Sequence, residues 1–515
     1  MAAPERDRSR LCDTGEVTDT RSREPRPGMG SPVLTAAEIA SVAGGRLVRD
    51  TDRAIRGAAV DSRAVAPGNL FVALPGEITD GHRFLRDAVA AGAAALLVRA
   101  DSIVADPGLS AAWAGADVAV VAVADALAGL HAVAAAWRAR FSPLVVGVTG
   151  SIAKTSTKEA VAAVLGEGFV TLSSEGNANN EIGLPLTILR MGPQHQAAVL
   201  EMGMYVGGEI AQLAAIARPR IGVVTAVREV HLSRIGSIEA IERAKAELVE
   251  ALPADGTAVL NLDDERVARM RHRTVASVLT YGFSAAADLR AVDVASAGLE
   301  GMTFTLIVPG GSARVATPAL GRHGVHNGLA AAAVGVAAGL DLERIVAGLA
   351  RGWQAPHRDQ LVRAGPITIL DDSYNASPAS MLAAMELLST LPGRHVAVLG
   401  EMLELGEAAE RGHAEVGRAA AGLVDLLVVV GPHAVGIADA AEAAGKRHAT
   451  VRVPDRRAAL EVLFDRLGPG DTVLVKASRG AALDLVVEAL ELGFGSVDHA
   501  RGAQGGARPP VEEIR

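Results

Sequence analysis

The stretch GVTGSIAKTSTKEA, from Gly147 to Ala160, puts a lysine and several hydroxyls where an apolar run gives way to a helical pattern. At such a strand-to-helix turn the backbone N–H groups cradle phosphate, and the helix N-terminus favours negative charge. Lys154 is then placed to meet the β- and γ-phosphates of a nucleotide, and Thr155 or Ser156 a magnesium ion. The spacing departs from the G-x-x-x-x-G-K-[ST] phosphate loop at two points: Val148 stands at the first glycine and Ala153 at the second. A polar helix start on any α/β strand would look similar, so spacing alone leaves both readings open.

Other polar residues fall at the ends of apolar runs, where open α/β sheets bind their ligands. Glu201 closes VLEM, and a carboxylate there either holds magnesium beside a triphosphate or is a solvated strand end. His231 follows the run RIGVVTA, and Lys245 lies in the next helical stretch. Taken alone, His231 reads first as an ordinary loop histidine and Lys245 as a surface lysine. The loop SSEGNANNEIGLPLT sets Asn177, Asn179 and Asn180 among glycines, suited to a polar substrate or to turn chemistry. Further on, ILDDSYNASP presents Asp371, Asp372 and Asn375, and VKASRG presents Lys476, Ser478 and Arg479.

The elements that must position these residues follow from pattern. PLVVGVT, QAAVLEM, RIGVVTA and TAVLNL are continuous apolar runs with helical periodicity between them, which predicts a parallel sheet covered on both faces. A second such set, ITILDD, HVAVLGE, DLLVVVG and DTVLVKA, begins near 353, and a smaller α/β region spans about 33–140. At 515 residues the chain is too long for one core. The boundaries read as a disordered tail over 1–32, units over 33–140, 141–352 and 353–497, and a second disordered tail over 498–515.

Composition narrows the function. A formal net charge of −9 and only 3% aromatic residues argue against a nucleic-acid surface. The single cysteine, Cys12, excludes an internal disulfide framework. No apolar segment reads as a secretory signal or a membrane span, so the expected location is the cytoplasm, without membrane insertion.

Taken in order, AVDSRAVAPGNLFVALPGEITDGHRF, TGSIAKTSTKE, GNANNEIGLPLT, LEMGM, HLSRIGSIEAIERAKAELVE, GRHGVHNGLAAAAVG, DDSYNASPASM, LGEMLELGE and VKASRG resemble the Mur ligases over roughly residues 33–490. GNANNEIGLP and DDSYNASP favour the member that joins D-alanyl-D-alanine to UDP-MurNAc-tripeptide in peptidoglycan precursor synthesis. The resemblance implies an α/β chain of three domains. The first binds the UDP-sugar peptide, the central parallel-sheet domain binds ATP, and the last, Rossmann-like, closes over the site. It implies ATP and magnesium, two ions, as cofactors, both peptide compounds as partners, and a monomer.

Residue by residue, the resemblance implies that Thr149, Gly150, Ser151, Ala153, Lys154, Thr155 and Ser156 form the nucleotide loop. Thr155, Glu201, His231 and Lys245 match the metal positions, with Lys245 matching a lysine that is carbamylated in several Mur ligases. Lys154, Lys245 and His231 are the implied catalytic set. Asn327 matches an adenine contact, Arg358 a nucleotide contact and Asp372 an aspartate near the ribose. Asp61, Ser62 and Arg63 match the uridine end, and Asn177, Asn179, Asn180 and Asn375 the muramoyl-peptide path. The sequence departs from the family at Ala153 and at Arg228, which adds a charge near the implied second metal. Two other functions stand beside this one: another amide ligase of the same fold, such as a folylpolyglutamate synthase, and a Mur-like scaffold without catalysis.

Overall fold

The computed structural model describes residues 33–76, 79–229, 235–446 and 449–500. His231 and most of both expected tails lie outside them; the final helix, Asp484–Ala500, runs past the expected boundary at 497.

Three sheets follow one another along the chain. The first has five strands, parallel except that Arg46–Arg49 runs antiparallel to Ala119–Val123 at one edge. The central sheet has nine. Its parallel part places Leu144–Thr149 between Ala197–Glu201 and Ile221–Val224, followed outward by Thr257–Asn261. The third sheet has six strands; Ile367–Asp371, Thr472–Lys476 and His395–Leu399 lie side by side in its parallel part.

The buried strands are apolar up to the polar residues Thr149 and Glu201 that end two of them, as a sheet covered on both faces requires. The strands Leu289–Ser296, Met302–Val308 and Gly311–Thr317 extend the central sheet as an antiparallel ribbon. Their burial alternates, with one face wet, so they lack the continuous apolar runs that mark the parallel strands. The third sheet likewise opens with an antiparallel pair, Gln360–Ala364 on Ile367–Asp371.

The alanine- and glycine-rich composition lets helices approach closely. The helix Lys154–Leu165 packs against Gly321–Ala337 and Leu342–Arg351. A Cβ at Gly348 would lie 2.6 Å from the Val164 Cα, so only glycine admits that approach. The packing fixes the helix that begins at Lys154, and with it the turn before it.

Candidate active site

The strand Leu144–Thr149 ends with the Thr149 hydroxyl donating to the Met202 carbonyl at 2.7 Å. Gly150 follows at φ 150°, where a Cβ would sit 1.9 Å from the Thr225 Oγ1, so no larger residue fits. Ala153, the residue before the helix, has φ 64° and ψ 5°. It therefore occupies the left-handed region that glycine enters freely and alanine at roughly 1–2 kcal/mol. The Thr157 N–H donates to the Ala153 carbonyl at 2.9 Å. The N–H groups of Lys154, Thr155 and Ser156 precede that first helical bond and have no intrahelical acceptor. Free N–H dipoles beside an ammonium fit a phosphate chain. Lys154 is half-buried, and its Nζ donates to the Gly150 carbonyl at 2.8 Å. Desolvation lowers its pKa; Glu201 opposes the shift and Arg358 adds to it.

Glu201 is not a solvated strand end. It is 1% exposed, because the strand Ala197–Glu201 lies inside the sheet and its last side chain turns under the loop. The Thr155 hydroxyl donates to its Oε2 at 2.8 Å, and the Asn179 amide to its Oε1 at 2.7 Å. Thr155 and Glu201 thus offer the few hard oxygens from which magnesium is held when phosphates and waters complete its shell. Among the described residues no three His, Cys, Asp or Glu side chains converge as a metal cage.

Lys245 lies on the helix Ile238–Glu250, capped by Ser237, and is 2% exposed. Burial drives its pKa well below the ordinary value, and the Lys154 charge adds to this against Glu201, Glu247 and Glu209. The neutral amine, the form that reacts with carbon dioxide, is favoured there.

A cleft of about 440 Å³ separates the phosphate loop from the third sheet. One wall carries residues 151–156 and Asn177; the other carries Arg358, Asp372, Asn375 and Lys476. Lys476, at the buried end of Thr472–Lys476, reaches Asp372 at 2.5 Å and the Asn375 carbonyl at 2.9 Å. Burial outweighs Lys476 and pushes the Asp372 carboxyl up to about 7. The Arg358 guanidinium lies 4.2 Å from the Tyr374 ring centroid, a cation–π contact that presents it to the cleft. Asn327 accepts from the Thr157 hydroxyl at 3.1 Å and borders both this cleft and a neighbouring hollow of about 410 Å³ beside Trp353.

The remaining expected residues are dispersed. Of the three loop amides, Asn177 lines the cleft, Asn179 is bound to Glu201, and Asn180 accepts from the Gly183 N–H at 2.9 Å where the helix Gly183–Leu189 begins. Asp61, Ser62 and Arg63 form a turn on the first sheet, away from the cleft walls. Arg63 folds back on Asp61 at 2.6 Å and holds its carboxyl down to about 2.

Arg228 does not add a free charge at the metal positions, because its guanidinium is bonded to the buried Asp264. Sequence reasoning missed Asp264, Thr225 and Lys158. Lys158 is fully buried four residues after Lys154, and its Nζ donates to the Ser174 carbonyl at 2.5 Å. Ser174 in turn accepts the Glu201 N–H at 3.2 Å. The i, i+4 spacing of the two lysines, on one helix face, was the available signal.

Family models match along the chain: "Mur ligase family, catalytic domain" over residues 54–138, "Mur ligase middle domain" over 148–335, and "Mur ligase, glutamate ligase domain" over 357–479. The UDP-N-acetylmuramoyl-tripeptide–D-alanyl-D-alanine ligase of Mycobacterium tuberculosis is 40% identical over 496 residues, 89% of this chain and 97% of its own. A crystal structure of MurF from Acinetobacter baumannii superposes with a TM-score of 0.79 at 29% identity, covering 90% of this chain and 99% of that one. The MurF ligase of Thermotoga maritima, in complex with ADP, gives 0.74 at 28% identity, covering 86% and 98%. With identity spread over all three sheets and the phosphate loop at their centre, the chain belongs to the Mur ligase family.

Proposed function

We propose that the chain is an ATP-dependent ligase that joins D-alanyl-D-alanine to UDP-MurNAc-tripeptide. The observation that carries this reading is the cleft itself. Lys154 and Thr155, whose hydroxyl is bonded to the buried Glu201, stand on one wall, and Arg358 and the Asp372–Lys476 pair face them from the third sheet. Such a cleft suits a nucleotide whose γ-phosphoryl group must meet a second anion. The near full-length likeness to ligases of this name supports the substrate pair.

A carboxylate is a poor electrophile. Its oxygen attacks the γ-phosphorus, the bond to the β-phosphate oxygen breaks, and ADP leaves. The dipeptide amine then attacks the acyl carbon, phosphate departs, and the nitrogen loses a proton. In the first step two anions approach, so Lys154 and the loop N–H groups spread the charge. Magnesium, when bound by Thr155 and Glu201, adds its charge to the same task. His231 and a carbamate on Lys245 complete the metal-binding set in this reading. Asn327 and the hollow beside Trp353 take the base, Asp372 the ribose, and Asn177 and Asn375 the peptide. Asp61, Ser62 and Arg63 take the uridine end. The third sheet shuts the cleft from water, which an acyl phosphate requires.

The test is incubation with ATP, magnesium, UDP-MurNAc-tripeptide and D-alanyl-D-alanine, with the product followed by mass. The pentapeptide is expected, and ADP release should need both peptide compounds. Equal ADP release without them, or preference for glutamate as acceptor, overturns the reading.

A further inference from the structure

The segment that follows the strand Ile221–Val224 lies against the phosphate loop. The Thr225 hydroxyl donates to the Ile152 carbonyl at 2.6 Å. The Ser151 N–H donates to the Ala226 carbonyl at 2.8 Å, and the Ser151 hydroxyl accepts the Arg228 N–H at 3.0 Å. The segment is itself anchored from behind. The Asn261 amide donates to the Thr225 carbonyl at 2.7 Å. Asp264, 3% exposed, accepts the Val227 N–H at 2.9 Å and the Arg228 guanidinium while capping the helix Glu265–Arg269.

The Ile152 carbonyl belongs to the peptide unit whose nitrogen is that of Ala153. Fixing that carbonyl restricts rotation about the Ala153 N–Cα bond, which is the strained φ of 64°. We propose that Thr225 is a positioning residue for nucleotide binding. Its hydroxyl holds the Ile152–Ala153 peptide in the left-handed turn, and so offsets the alanine that stands where a phosphate loop normally has glycine. The proposal rests on the reading of this loop as the ATP site.

Its consequence is a specific non-additivity. Apparent affinity equals intrinsic affinity scaled by the fraction of loops in the competent conformation. With alanine at 153 that fraction depends on the Thr225 bond. With glycine the turn is unstrained, and the bond adds little.

Calorimetric titration of ATP with magnesium into the full chain tests this without turnover. Thr225→Ala should weaken ATP by roughly 3- to 10-fold. Thr225→Ser, which keeps the hydroxyl, should stay within about twofold of the unsubstituted chain. In an Ala153→Gly background, Thr225→Ala should weaken ATP by less than about twofold. Affinity for UDP-MurNAc-tripeptide should not change in any variant. An equal loss in both backgrounds, no loss in either, or a parallel loss of both ligands overturns the proposal alone. Absence of ATP binding by the unsubstituted chain overturns the ligase reading and the proposal with it.

Discussion

The Thr155 hydroxyl donates to the Glu201 carboxylate at 2.8 Å, joining the first turn of the phosphate-loop helix to the end of the neighbouring strand. Two elements far apart in sequence thereby present their oxygens at one point. The bond also settles how Glu201 should be probed. Removing the carboxylate orphans both the Thr155 hydroxyl and the Asn179 amide in a buried place, at about 1–3 kcal/mol for each group.

Glu201→Gln is therefore the informative substitution. The Thr155 hydroxyl can turn to accept from the new amide, so melting should stay close to that of the unsubstituted chain. Turnover at limiting magnesium should fall by about 100-fold or more if the carboxylate holds the metal. An unchanged rate at limiting magnesium would reduce Glu201 to a structural residue. Glu201→Ala should lose stability as well as activity, which thermal melting separates.

Lys245 should carry a carbamate. Burial and the Lys154 charge lower its pKa, so the neutral amine persists above that depressed value and is lost as pH falls through it. Carbamate should accordingly build up as pH rises, and added bicarbonate should raise activity most at the low end of the range. Labelled bicarbonate followed by carbon NMR reads the adduct directly. Lys245→Ala should lose most activity, with short carboxylic acids restoring part of it; full activity in that variant would remove the idea.

How much of this was legible beforehand depended on what sets each feature. The parallel strands could be read because double-sided burial forces unbroken apolar runs such as LLVVV. The ribbon Leu289–Val308 could not, since one wet face leaves only alternation and its register shifts midway. Lys154, Thr155 and Glu201 could be placed at strand ends, but not the bond between two of them, which depends on strand order. The φ of Ala153 was beyond reach in the same way. It is fixed by the Thr225–Arg228 segment, some seventy residues further along the chain, and no local pattern encodes it.

The connection between the central and third sheets should respond to pH. Gly352, His357 and Asp359 have φ of 75°, 58° and 49°, so three left-handed residues lie in one short link. Two of its residues are tied to different domains: Asp359 meets His323 of the helix Gly321–Ala337 at 3.1 Å, and His357 meets Asp371 of the third sheet at 2.8 Å. Burial disfavours the charged His323 ring, but Asp359 and Asp372 outweigh it and raise its pKa above the ordinary 6.5. A raised pKa means that the tie is complete below 6.5 and is lost as pH rises through the higher folded-state value. Small-angle scattering of the ligand-free chain should report a rising radius of gyration across that window, and His323→Gln should flatten the change. A radius independent of pH in the unsubstituted chain would contradict this.

Ala153→Gly should tighten ATP without changing the chemistry. The left-handed turn costs alanine roughly 1–2 kcal/mol, which is at most about 30-fold in affinity if all of it falls on binding. The Thr225 bond and the Ser151 contacts already offset part of that, so the gain should fall short of the ceiling. Glycine also adds freedom to the unfolded chain, worth about 0.4–1 kcal/mol against stability. The two effects oppose one another for folding but not for binding, where the unfolded state does not enter. Melting should therefore move little while KM for ATP drops. An interaction made equally in the ground and transition states changes KM and leaves kcat alone. Steady-state rates over a range of ATP concentrations distinguish the cases. A fall in KM at constant kcat fits a loop that only holds the nucleotide. A change in kcat at saturating ATP would mean that the Ala153 turn shifts during phosphoryl transfer, and the loop would then be part of the reaction rather than its cradle.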